Sequence, residues 1–155
     1  MSRDRRGFDY ALEPMRSVTE WEMNDVGRAL AGQNAAAAIQ ENTVNQLLHS
    51  FAAARSDVLL QRQMHPVLNI DAQRVAHAYM VQVQQQLVSE NAQLHILQQE
   101  RDETFATLNS LRKFADNLDR NKEMAAKEYD QQIVKQVYQQ SDDSWLQRLH
   151  WRENS

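Results

Sequence analysis

Gln61-Arg62-Gln63-Met64-His65-Pro66-Val67-Leu68-Asn69-Ile70-Asp71 decides how this chain folds, because no other stretch carries so strong a reason to turn. Pro66 has no amide to donate and pushes His65 out of the helical region. Just after it, Asn69 or Asp71 can cap a new helix. The chain on both sides is rich in Ala, Gln, Leu, Glu and Arg, all good helix formers, so the stretch reads as a turn between two long helices.

Working outward, the apolar spacing alternates between three and four. Before the turn it runs through Leu12, Thr19, Met23, Val26, Leu30, Ala37, Val44, Leu47, Phe51, Ala54 and Val58, with polar skips at Arg16, Gln33 and Gln40. After the turn it runs through Ala76, Met80, Val83, Leu87, Leu94, Leu97, Thr104, Leu108, Leu111, Ala115, Leu118, Ala125 and Tyr129, interrupted at Glu90, Arg101 and Lys122. A seam sustained this long predicts a coiled coil. The fold class expected is therefore all-α: an antiparallel coiled-coil hairpin whose C-terminal helix overhangs. The boundaries expected are a first helix over about 14–61, a turn over 62–70 and a second helix over 71–140. At 1.5 Å per residue these helices are roughly 70 and 105 Å long. Folding about Pro66 sets Phe51 beside Met80, Val44 beside Leu87, Ala37 beside Leu94, Met23 beside Leu108 and Leu12 beside Leu118. It also brings the Gln40 amide to the Glu90 carboxylate. Beyond Leu118 the second helix is expected to lack a partner within the chain.

Ser141-Asp142-Asp143-Ser144 predicts a break, with a short helical tail over 143–152 in which Trp145 and Leu149 share a face. Gly27 and Gly32 fall inside the first helix at a cost of roughly 1 kcal/mol each relative to Ala, so that helix depends on its partner. Arg101 and Lys122 on the seam read as charges snorkelling from a thin core, with a register-setting role as the alternative. A two-helix seam does not bury Tyr79, Ile96, Phe105, Phe114, Ile133, Val137 and Tyr138 in one stripe. Phe105 reads as the thickened edge of the seam, whereas Ile133, Val137 and Tyr138 read as contacts for a partner.

Composition narrows the function classes. The 155 residues suit one domain. The absence of Cys excludes a disulfide framework and a thiolate metal site or nucleophile. Three Gly exclude a glycine-rich phosphate cradle, and a net charge of -4 argues against a nucleic-acid partner. No run approaches the roughly 18–20 apolar residues of a membrane span, and residues 1–10 lack the apolar stretch of a signal peptide. A soluble, cytoplasmic chain is expected. The histidines His49, His65, His77, His95 and His150 have no HExxH-like spacing, and the carboxylates of 100–103 have no concave wall to raise their pKa. No catalytic residue, metal or cofactor is expected, and the chain is not expected to be an enzyme.

The opening Phe8-Asp9-Tyr10-Ala11-Leu12-Glu13-Pro14-Met15-Arg16-Ser17-Val18 resembles the start of the FliJ/YscO family, the stalk proteins of flagellar and virulence type III secretion; Tyr10, Leu12, Met15 and Arg16 match its aromatic, aliphatic and basic positions. Ala78-Tyr79-Met80-Val81-Gln82-Val83-Gln84-Gln85-Gln86-Leu87 is similar to the family's aromatic-aliphatic segment on the returning helix, and Lys122-Glu123 with Lys127-Glu128-Tyr129-Asp130 is a weaker third match. The resemblance implies a hairpin inserted like a rotor stalk into the hexameric export ATPase, at the cytosolic base of the secretion apparatus. It implies that residues 10–28 and 109–137 enter the ring, with Tyr10, Leu12, Met15, Phe114 and Leu118 as contacts. It further implies that Tyr79 and Val83 touch the cytosolic domain of the export-gate protein, although Gln86 and Glu90 depart from the family's small and basic positions there. Secretion chaperones are further partners of this kind. The reading that needs no family is a self-associating coiled coil or a chaperone-like adaptor, pairing through residues from 119 onward.

Overall fold

Asn69 starts the second helix: its Oδ1 accepts from the Ala72 amide at 3.2 Å, satisfying a donor that the first turn leaves free. Asp71 follows in the first turn, where a carboxylate complements the helix dipole. The computed structural model describes residues 5–65, 67 and 69–153, and these are all-helical apart from the segment before Glu13 and the connection before Ile70. Helix α1 is Glu13–Met64, 52 residues, and α2 is Ile70–Glu153, 84 residues. The two helices pack against each other, and no strand is found among the described residues. Pro66, on which the expected reversal turns, lies outside the described residues.

The helix ends follow from local chemistry. The Leu12 carbonyl accepts the first helical bond of α1, from the Arg16 amide at 3.0 Å, and Pro14 sits in the first turn, where a missing N–H costs nothing. Arg62 occupies the last turn of α1 and stabilises its negative end. The expected break at 141–144 does not occur. Helix α2 runs through it, and Ser144 Oγ donates back to the Gln140 carbonyl at 2.7 Å instead of capping a new helix. Ser and Asp are weaker helix formers than Ala by only about half a kcal/mol each, less than is lost by interrupting an intact ladder.

The chain divides into two compact units. In the unit Asn24–Asn109, the buried Val44, Val83 and Leu87 form a core against which Leu47, Phe51 and Leu94 pack, and Ala37 and Leu108 are also buried. The heptad positions of this unit are all protected, the polar Gln33, Gln40, Glu90 and Arg101 along with the apolar ones. Gln40 Nε2 donates to the Glu90 carbonyl at 3.0 Å and to the Glu90 carboxylate, as the alignment predicted. Gln33, the preceding polar seam residue, has a buried Oε1 with no hydrogen-bond partner.

The unit Met1–Met23 with Ser110–Ser155 is built differently. Its buried residues are Tyr10, Thr19, Leu118 and Ala126, and Thr19 Oγ1 satisfies itself on the Met15 carbonyl at 2.8 Å. The expectation that α2 lacks a partner beyond Leu118 is overturned here, because the segment preceding α1 continues along α2 as far as Asp130. Non-helical backbone advances up to about 3.3 Å per residue against 1.5 Å in a helix, so a few residues ahead of α1 reach several turns of α2.

Candidate functional site

The N-terminal segment is shaped before it docks. The Phe8 amide donates to the Arg5 carbonyl at 3.0 Å, closing a four-residue turn with Gly7 at φ +92°, which suits the third position of a type II turn. A β-carbon on Gly7 would also stand 3.3 Å from the Tyr129 hydroxyl, which would have to shift by a few tenths of an ångström, so it is the backbone that needs glycine here.

From this turn the segment lies along 118–130 of α2. Arg5 Nη2 pairs with Asp130 Oδ2 at 3.0 Å, and the Tyr129 hydroxyl donates to the Arg6 carbonyl at 3.2 Å. The Phe8 and Tyr129 rings stand 5.5 Å apart at 52°, a tilted contact. Tyr10 follows, 7% exposed; its hydroxyl donates to Asn121 Oδ1 at 2.7 Å and lies 3.2 Å from the Leu118 carbonyl. The buried phenol is therefore satisfied.

Four charges close the arrangement where α1 begins. Lys122 Nζ pairs with Glu13 Oε2 at 2.8 Å, Arg16 Nη1 with Glu13 Oε1 at 3.1 Å, and Arg16 Nε with Asp119 Oδ1 at 2.7 Å. The hydrogen bond from Lys122, helped by the Lys122 and Arg16 charges, holds the Glu13 carboxyl below the usual carboxylate range. Asp119 raises the pKa of Arg16, chiefly through their hydrogen bond. Lys122, a seam position, thus reaches across to Glu13 of α1 with its ammonium still partly in solvent. Arg101 instead turns to its neighbour Asp102 at 3.1 Å.

Of the residues expected to meet an ATPase ring, Tyr10 and Leu118 are buried against each other, while Leu12 at 39%, Met15 at 47% and Phe114 at 43% are exposed. Of the two expected at an export gate, Tyr79 is 46% exposed and Val83, at 3%, is part of the core of its own unit. Arg5, Phe8, Asn121 and Asp130 carry the docking of the N-terminal segment and were not singled out by their own roles in the sequence. The available signal was Phe8, Tyr10 and Leu12, an apolar alternation of two just ahead of a helix, together with Tyr129 on the seam with nothing in α1 opposite it.

An open cleft of about 430 Å³ between the end of α1 and the start of α2 is lined by Val58, Arg62, His65, Asn69 and Ala76 among others. Among the described residues no group of three metal-ligating side chains occurs, and no helix is long and apolar enough to cross a membrane. Comparison of the chain with family models, curated proteins and solved structures finds no match.

Proposed function

We propose that this chain is a non-enzymatic stalk of a type III secretion system that enters and stimulates the hexameric export ATPase and links it to the export gate. In this reading α1 and α2 pair as an antiparallel coiled-coil hairpin. Support for the antiparallel sense comes from Gln40 bonded to Glu90 while Val44, further along α1, packs with Val83 and Leu87, earlier on α2. The observation that carries the functional reading is the docking of the N-terminal segment on 118–130 of α2. An N-terminal segment held against α2 can enter a ring together with that helix, and one that frays cannot. Leu12, Met15 and Phe114 supply apolar contacts to the ring, with Tyr10 and Leu118 holding them in place. Tyr79 supplies the gate contact, and Val83, in the core of its own unit, does not.

The test is a titration of the full chain into a purified hexameric type III export ATPase while ATP turnover is followed. Stimulated turnover that saturates at a single chain per hexamer is the expected result. A chain ending at Leu118 should lose that stimulation while Asn24–Asn109 stays helical by circular dichroism. Turnover indifferent to the full chain would remove the reading.

A further inference from the structure

Beyond Asp130, α2 offers a second apolar face. From 111 to 130 its protected residues are 111, 115, 118, 122, 125, 126, 129 and 130. Continuing by three and four leads to Ile133 and Val137, which stay on the face of Ala126 and Tyr129 and are exposed. Val134, Tyr138 and Trp145 are exposed as well. Each residue turns about 100° around a helix, so these three lie on a face turned away from the centre of the one that the N-terminal segment covers.

We propose that this second face pairs antiparallel with the same face of another copy of the chain. Val134, Tyr138, Ser141 and Trp145 alternate by four, three and four, the spacing of a seam. Placed antiparallel about a two-fold axis between Gln139 and Gln140, Val134 lies across from the copy's Trp145, small against large, and Tyr138 lies across from the copy's Ser141. The charges select this occupant. Lys135 and Asp142 each follow a seam residue on the same edge, one heptad apart, and both are exposed. In an antiparallel pair that edge meets itself, so Lys135 faces the copy's Asp142 and the reverse, giving two opposite-charge contacts per dimer. Val137 lines the other edge beside the copy's Ser144, where no like charges meet. This pairing is independent of the stalk reading, since it needs only the chain itself.

Sedimentation of the full chain over a concentration series tests it. The wild-type chain should pass from monomer to dimer as concentration rises. K135E alone and D142K alone each place like charges across both contacts and should weaken self-association roughly tenfold. Mixing the two single variants should restore association as a heterodimer, because every contact is then between opposite charges. Both substitutions are at exposed positions, so each variant should keep the helical signal of the wild type. A monomer at every concentration would overturn the proposal, as would a dimer whose strength ignores the two reversals.

Discussion

The two units use one pair of helices in opposite ways. Asn24–Asn109 is held by aliphatic residues on the heptad, with a half-buried amide-carboxylate bridge at Gln40 and Glu90. Met1–Met23 with Ser110–Ser155 is held by an aromatic and ionic clasp: Phe8 and Tyr10 on Tyr129, Asn121 and Leu118, ringed by Glu13, Arg16, Asp119 and Lys122. Aliphatic burial is non-directional and tolerates sliding, whereas each bond of the clasp works at one geometry only. The first unit therefore supplies stability, and the second supplies position.

That contrast can be broken at its strongest point first. Leu87→Ala removes a core side chain of the aliphatic unit and should cost about 2–5 kcal/mol, read as a lower urea midpoint for loss of helix. In the opposite direction, Gly27 and Gly32 have open space where a β-carbon would stand, so Gly27→Ala and Gly32→Ala should each add about 1 kcal/mol in the same experiment. Tyr10→Phe removes the hydrogen bond to Asn121 Oδ1 and should cost about 1 kcal/mol, with the loss confined to protection of amides near 118–122 in hydrogen exchange.

The smallest effect expected is on acidification. Because the folded state lowers the Glu13 pKa, its bonds to Lys122 and Arg16 contribute above the ordinary carboxylate pKa and are lost as pH falls through the depressed value. Undocking of the N-terminal segment in acid should be followed by the environment of Tyr10, and Glu13→Gln should flatten that pH response. An unaltered response in the variant would overturn the assignment to Glu13.

The aliphatic unit was legible in the sequence because one rule, the heptad, decided it. Once the chain was folded back, the pairing of Gln40 with Glu90 followed from counting. The clasp was only partly legible. Tyr10 and Leu118 were singled out, but as contacts for another protein; the segment from Arg5 to Leu12 precedes the helix, where turn geometry takes over from the 3.5-residue period. Tyr129 stands on the seam without its partner being evident, and Lys122 reads as a snorkelling charge until Glu13 is found beside it. The continuity of α2 through Ser141–Ser144 was missed because residues that favour caps also tolerate a helix interior when they bond back to the preceding turn.

Gly7 gives the clasp a handedness of its own. At φ +92° this residue sits where the mirror image of an ordinary amino acid would rest without strain, and it is the only described residue of the chain at positive φ. The docking of Arg5 and Arg6 on Asp130 and Tyr129 thus passes through one achiral joint. A chain assembled by ligation with D-alanine at position 7 would stiffen that joint in its bound form, while L-alanine would set its stereochemistry against the turn. The same atoms added in opposite hands would sort a pre-set clasp from a loose one.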